Sequence, residues 1–226
     1  IFEGKRVVGA KRDIKEAKNA LEVYGQLNSF NPLLMEDLLK AHSLMMKGLI
    51  GEIGCFRSSG VGVFDGSRVI HMAPSPKMVS KLMENLFAFI KGNQDLPWLI
   101  KACIFHYELE FIHPFSDGNG RIGRLWQHLL LIKEDPLFEY VPVETLVREN
   151  QKEYYDILGQ CDREGRSTRF ILFSLEQILA ALKSFQQQTT RVKGPRERLD
   201  FARFKLGLKK FSRKDYLLLH DDISTA

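Results

Sequence analysis

Apolar residues recur three and four positions apart along almost the whole chain, over 13–27, 33–49, 76–90, 97–112, 121–132, 143–158 and 169–185. That spacing gives each segment one apolar face, so the body is predicted to be a set of helices burying those faces against one another. Pro32, Pro76 and Pro97 stand near the starts of such segments, where a missing N–H costs nothing. The period changes over 60–73, where Val61, Val63, Val69 and Ile70 flank Asp65, Gly66 and Ser67. Two short β-prone runs around a turn cluster predict a small hairpin. The expected fold class is therefore all-α with one β-hairpin.

The chain of 226 residues is long enough for one sizeable core and a small appendage, and its 44% apolar and 27% charged residues are ordinary globular usage. No apolar run approaches transmembrane length, so no membrane partner is expected. Residues 1–10 lack an initiator Met, a basic n-region and an apolar h-region, and so read as the interior of a longer protein rather than a signal peptide. Cys55, Cys103 and Cys161 are odd in number and unpaired by spacing, which excludes a disulfide framework or zinc knuckle and fits a reducing cytoplasm. The net charge of +5 is unevenly spread: residues 191–226 hold ten Lys/Arg against five Asp/Glu, leaving the first 190 balanced. A polar stretch ending in Gly194 and Pro195 is the linker candidate. Residues 1–190 are thus expected to form the main domain and 191–226 a basic C-terminal segment.

The chemistry concentrates between two apolar helical segments, in the run His113, Pro114, Phe115, Ser116, Asp117, Gly118, Asn119, Gly120, Arg121, Ile122, Gly123, Arg124. A residue before proline is biased away from the α region, so the preceding helix should end at His113 and leave its imidazole at the mouth of a loop. Gly118 and Gly120 permit backbone angles that let successive N–H groups converge on an anion. A helix starting near Arg121 adds its own free N–H groups and positive dipole end, so phosphate is the expected guest. Arg121 and Arg124, three apart, can bring two permanent charges to a polyphosphate. Asp117 offers a hard oxygen to magnesium, which at nucleotide sites needs only one or two protein carboxylates. His113, with an ordinary pKa near 6.5, can take a proton from an attacking hydroxyl.

This run resembles the signature of the Fic family, His-Pro-Phe-x-Asp-Gly-Asn-Gly-Arg-x-x-Arg, with no departure at its nine specified positions. The resemblance implies a mainly helical Fic fold whose hairpin is a flap that pairs with a target's backbone. It implies a protein adenylyltransferase that moves AMP from ATP to a Ser, Thr or Tyr hydroxyl, with His113 as general base and Asp117 as the Mg2+ ligand. The Asn119 side chain and the backbone from Gly118 to Arg121 would hold the α- and β-phosphates, and Arg124 would reach the γ-phosphate; Gly123 belongs to the same loop and helix. Val69, Ile70, His71 and Met72 would form the nucleotide-facing strand of the flap, which Gly54, Cys55, Phe56 and Arg57 lead into. Tyr154 and Tyr155 match aromatic positions that flank adenine or ribose. The Gly120 and Arg121 pair favours adenylylation over the kinase activity of Doc-type members, which carry a Lys-containing variant there. Many members form homodimers, although no interface is legible in these residues.

Glu3 and Gly4, followed by a helix, look like the end of the family's inhibitory segment, in which Glu3 would pair with Arg124 and deny it to the γ-phosphate. In some members the same Glu supports removal of AMP. Residues 211–220 followed by 221–226 resemble the start of a helix-turn-helix, so a partial winged helix-turn-helix is expected, with DNA as a partner of the full-length protein. Two rival readings follow. His106, Glu110 and His113 share a helix face at i, i+4 and i+7, a spacing open to a helical metallohydrolase, but Pro114 disturbs it and the Gly-Asn-Gly-Arg loop would be left unused. A nucleotide-sensing transcriptional regulator is the other, though sensing alone would not need both His113 and Asp117. His106 by itself reads as a hydrogen-bonded core residue, His42, His71, His128 and His220 carry no constellation of their own, and Met45, Met46, Trp98 and Phe105 read as core.

Overall fold

The computed structural model describes residues 9–65, 68–93, 95–141, 143, 150–190, 196, 199, 202, 203 and 212–214. Among them are seven α-helices, each where the apolar period places one: α1 (Lys11–Tyr24), α2 (Met35–Met46), α3 (Pro76–Gly92), α4 (Trp98–Ile112), α5 (Asn119–Glu134), α6 (Gln151–Glu164) and α7 (Thr168–Thr190). The hairpin is present as two antiparallel strands, β1 (Gly62–Asp65) and β2 (Arg68–Met72). Its register slips by one residue between Val63 and Phe64, a bulge that leaves Ile70 without a partner. Several boundaries differ from expectation by a few residues, and at their ends α6 runs on to Glu164 and α7 to Thr190. The chain's fifth helix starts at Asn119, two residues before Arg121, and the sixth is described from residue 151, since 142 and 144–149 of its expected span lie outside the described residues.

The helix α4 is the axis of the fold. Its residues Ala102, Cys103, Phe105, His106, Tyr107, Leu109, Glu110 and Ile112 are buried and point to all sides, as expected of a helix surrounded by others. α5 lies along it, α3 covers another side, α2 packs on α5, and α1 on α2. Asn19 of α1 is buried and donates from Nδ2 to the Met45 and Lys47 carbonyls, at 3.0 and 2.9 Å, so it satisfies the last turn of α2 and fixes α1 against it. Met45, Met46 and Phe105 are buried as expected, and Trp98 stands edge-on to Phe138 with ring centroids 5.7 Å apart. A second cluster, Tyr107, Tyr154, Cys161, Phe170 and Phe173, joins α4, α6 and the start of α7. That cluster holds α6 in place, and β2 packs on α6.

Two compact units divide the chain, 1–178 and 179–226. The first contains everything described below. In the second, Ala202 is fully buried, and the expected helix-turn-helix of 211–226 lies outside the described residues except for 212–214. Among the described residues no helix is long and apolar enough to cross a membrane.

Trp126 of α5 has no exposed surface, and its Nε1–H donates to the Pro32 carbonyl at 3.0 Å. Trp126→Phe removes the donor and strands a buried carbonyl, an expected loss of about 1–3 kcal/mol. Trp126→Ala adds a cavity, an expected loss of about 3–5 kcal/mol. Urea denaturation should rank wild type, Phe and Ala in that order.

Candidate active site

A helix leaves its last carbonyls without intrahelical partners, and α4 ends against a proline, which adds one more missing donor. The structure accounts for each of these carbonyls in turn. His113 N–H donates to the Leu109 carbonyl at 2.9 Å. The Glu110 carbonyl would have met the N–H of residue 114, but Pro114 has none, and His113 Nδ1 lies 3.2 Å from it instead. Since a carbonyl only accepts, this contact puts the imidazole proton on Nδ1 and leaves the Nε2 lone pair free. The Phe111 carbonyl receives His71 Nε2 at 2.7 Å, because Phe115 N–H donates elsewhere, to Asn119 Oδ1. The Ile112 and His113 carbonyls receive Arg57, from Nη2 at 3.4 Å and from Nε at 2.7 Å.

Arg57 is 3% exposed and does more than cap this helix. It also donates from Nη1 to the Ser59 carbonyl at 2.8 Å and from Nη2 to the Pro74 carbonyl at 2.6 Å, one on each side of the hairpin. Its backbone N–H reaches the Pro114 carbonyl at 2.9 Å. These bonds bear on the conformation of His113. It leaves the right-handed helical region as Pro114 demands, ends the helix there as expected, and enters the left-handed region, φ 50° and ψ 60°. That conformation costs on the order of 1 kcal/mol for a residue with a Cβ, and the contacts to Arg57 offset it.

The loop then turns into α5. Asp117 Oδ1 accepts from Gly118 N–H at 2.6 Å and from Arg121 Nη2 at 3.1 Å. Gly118 has φ 89°, and a Cβ there would lie 2.7 Å from Met46 Sδ, so both backbone and packing exclude other residues. The side chain of Asn119 is buried and spans the loop, accepting from Phe115 N–H at 2.8 Å and donating to the Phe115 carbonyl at 2.9 Å. What Asn119 presents to the outside is its backbone N–H. The first bond of α5 runs from Ile122 N–H to the Gly118 carbonyl, so the N–H groups of Asn119, Gly120 and Arg121 have no intrahelical acceptor. The donors on offer are thus those of the first turn of a helix, with Gly118 N–H already taken by Asp117.

His42 props this loop from beneath. Fully buried, it stacks on Phe115 with centroids 3.7 Å apart, accepts from Gly54 N–H at 3.0 Å on Nδ1, and donates from Nε2 to the Asp117 carbonyl at 3.0 Å. Burial holds its pKa below the ordinary value, so it serves as a neutral staple. Gly123 lies below the site as well, where a Cβ would fall 2.6 Å from Glu110 Oε1 and 3.0 Å from His106. It lets α4 and α5 approach closely and does not line the cleft. His106 donates from Nδ1 to Gln127 Oε1 at 2.7 Å and meets the Tyr154 hydroxyl through Nε2 at 3.2 Å, so both its nitrogens are engaged within the core. The i, i+4, i+7 face is spent on this packing, and among the described residues no group of three His, Cys, Asp or Glu is arranged to hold a metal.

Around the junction lies a cleft of about 400 Å³. One end is polar, lined by Ser116 through Arg121 and by Arg124; the other is aromatic and apolar, lined by Tyr107, Phe111, Tyr155, Leu158 and the hairpin residue Gly62. Glu110, His113 and Tyr154 sit between them, and His71 and Asp162 close the aromatic end. Burial lowers the His113 pKa; Glu110 opposes that shift, and His71 and Arg57 reinforce it. Burial pushes the Tyr154 phenol far up. Burial would also raise the Glu110 carboxyl, yet His106, His113 and Arg124 outweigh it and hold Glu110 below its usual range. On the opposite side of the loop, α1 brings Glu16 within 2.6 Å of Arg121 Nη1 and Arg12 within 3.6 Å of Asp117 Oδ2. Arg124 makes no ion pair or hydrogen bond among the described residues and lines the cleft.

From the twelve-residue run, His113, Ser116 through Arg121 and Arg124 line one cleft together with Tyr154 and Tyr155, and Gly123 lies beneath it. Of the flap strand, His71 turns inward and is buried, whereas Met72 is 62% exposed and turned away from the cleft; Val69 and Ile70 are placed in β2 by their backbone. Glu3 lies outside the described residues. Nothing local in the chain pointed to the contacts that Arg57, His42 and His71 make. Tyr155, Leu158 and Asp162, at i, i+3 and i+7, could have been found as one face of a predicted helix.

Residues 32–131 match the Fic/DOC family. The chain is 30% identical over 173 residues to the protein adenylyltransferase Fic of Aedes aegypti, covering 75% of this chain and 32% of that protein. It is 27% identical over 194 residues to the protein adenylyltransferase Fic of Nematostella vectensis, covering 84% of this chain and 42% of that one. It thus spans between a third and a half of these curated relatives. A solved Fic family protein from Desulfovibrio desulfuricans G20 superposes with a TM-score of 0.79 at 41% identity, covering 96% of this chain and 66% of that one. Signature, fold and relatives agree, and this chain carries a Fic domain and belongs to the Fic/DOC family.

Proposed function

We propose that this chain transfers AMP from ATP to a hydroxyl of a protein, its own or a target's. The observation that carries the reading is that one cleft holds both a free imidazole lone pair, on His113, and three N–H groups without acceptors at the start of α5. The relatives' name, protein adenylyltransferase Fic, supports the same reaction. In this reading the helix N-terminus and Arg121 bind the α- and β-phosphates, Arg124 reaches the γ-phosphate, and the aromatic end takes the nucleoside. The acceptor hydroxyl loses its proton to His113 Nε2 as its oxygen bonds to the α-phosphorus, and the bond to the pyrophosphate leaving group breaks in line.

A divalent cation fits the donor set. Asp117 Oδ2 faces only Arg12, at 3.6 Å, and its side chain is 42% exposed, so one carboxylate oxygen is open. With magnesium, Asp117 would be the protein ligand and phosphate oxygens and water the rest. The ion would neutralise charge on the departing pyrophosphate. Arg12 and Arg121 hold that carboxylate in position.

We also read Glu3 as a brake that pairs with Arg124. Losing one charge-assisted contact to the γ-phosphate costs about 1.5–3 kcal/mol, so Glu3→Gly should raise AMP incorporation about tenfold or more in a radiolabelled-ATP assay. Unchanged incorporation by folded protein would remove the brake.

His113→Ala should lower self-modification by about 10²–10⁴, the usual worth of a general base, while leaving ATP affinity nearly unchanged. The pH dependence has a definite sign. The working form is the neutral imidazole, and burial makes protonation harder, so the acid limb of kcat/KM should lie below His113's ordinary 6.5. The rate should be flat above that and fall about tenfold per unit only in more acidic solution. A limb centred above about pH 7 would assign the proton transfer to another group.

A further inference from the structure

His71 has acceptors at both ends of its ring. Nδ1 lies 2.9 Å from Asp162 Oδ2 on α6, and Nε2 lies 2.7 Å from the Phe111 carbonyl in the last turn of α4. A neutral imidazole has one N–H and would set a lone pair against one of these oxygens; the imidazolium donates to both. One acceptor is a carboxylate on α6, and the other, the Phe111 carbonyl, belongs to the negative end of the α4 dipole. The other titratable groups nearby are Tyr107, whose phenol burial pushes well above its ordinary range, and His113, which feels His71 as a like charge. On β1 the facing residue is Val63.

The contact is also placed where it matters mechanically. β2 is attached to the body through α6. Arg57 fixes the base of the hairpin through Ser59 and Pro74, and His71 is buried and fixes it further along, from the inner face, while Met72 beside it is exposed. Both acceptors come from helices that wall the aromatic end of the cleft.

We propose that His71, as a doubly donating imidazolium bridging Asp162 and the Phe111 carbonyl, is a positioning residue that latches the flap across the cleft. The role it serves rests on the transferase reading, since the flap is what an acceptor segment would meet; the latch itself does not. It also has an electrostatic effect, because its cation faces His113 and helps keep that imidazole unprotonated.

Hydrogen–deuterium exchange on the intact chain tests the latch without reference to activity. His71→Ala should speed exchange of the amides of residues 62–72 by about tenfold or more, the usual effect of losing a charge-assisted hydrogen bond. Asp162→Ala should do the same from the other side, and the double variant should add little to either. Exchange across 102–109 of α4 serves as the measure of intact fold. In self-modification with ATP and magnesium, His71→Ala should also move the acid limb of kcat/KM to higher pH, because a cation beside His113 has gone. Unchanged flap protection in both single variants, or strictly additive effects in the double, would overturn the latch. Wild-type protein that transfers no AMP would sink the transferase reading instead, and the exchange comparison would still decide on the latch.

Discussion

The site depends on how the end of α4 satisfies its carbonyls. Burial leaves no water to take them, and Pro114 removes a donor that a longer helix would have supplied. Three side chains fill the deficit, His113 to Glu110, His71 to Phe111 and Arg57 to Ile112 and His113, and each of them is thereby given its place. The tautomer of the proposed base, the attachment of the flap and the seat of the hairpin base all follow from one helix terminus. A few residues on, α5 begins with its N–H groups unpaired, so the negative end of one dipole gathers cations and the positive end of the next is left for an anion.

Supporting that junction is the work of residues packed beneath and beside it. His42 holds the Asp117 carbonyl from below, and Gly118 is required because Met46 occupies the space a Cβ would need. Gly123 allows α4 and α5 to come close enough that Glu110 and His106 fit between them. Asn19 fixes α1 on α2, and that in turn sets Glu16 beside Arg121 and Arg12 beside Asp117. Neither the first turn of α5 nor the Asp117 carboxylate is therefore a free loop; both are held by packed helices.

Much of this was legible in the chain itself. The recurrence of apolar residues three and four apart located every described α-helix, and the turn residues at 65–67 marked the hairpin. The run from His113 to Arg124 carried its chemistry locally, with no need of distant partners. What stayed hidden was long-range. Arg57 lies 56 positions from the His113 carbonyl that it holds, and His71 reaches Asp162 across 91. The sequence shows that a helix ending at a proline must find donors, but not which distant side chains provide them. The helix was expected to end at His113 and does; that His113 is left-handed is supported by its contact to Arg57, a tertiary effect that local rules do not contain. The side chain of Asn119, which the resemblance places on phosphate, also closes the loop around Phe115, a local role that the motif alone does not reveal.

The central claim, that the facing ends of α4 and α5 form one site for a nucleotide with the base beside its α-phosphorus, is tested most directly by a crystal structure with magnesium and a non-hydrolysable ATP analogue. The account predicts phosphate oxygens on the N–H groups of Asn119, Gly120 and Arg121, and His113 Nε2 facing the α-phosphorus from the side opposite the β-phosphate. A triphosphate seated away from the start of α5, or an imidazole donating from Nε2 with Nδ1 turned from Glu110, would contradict it.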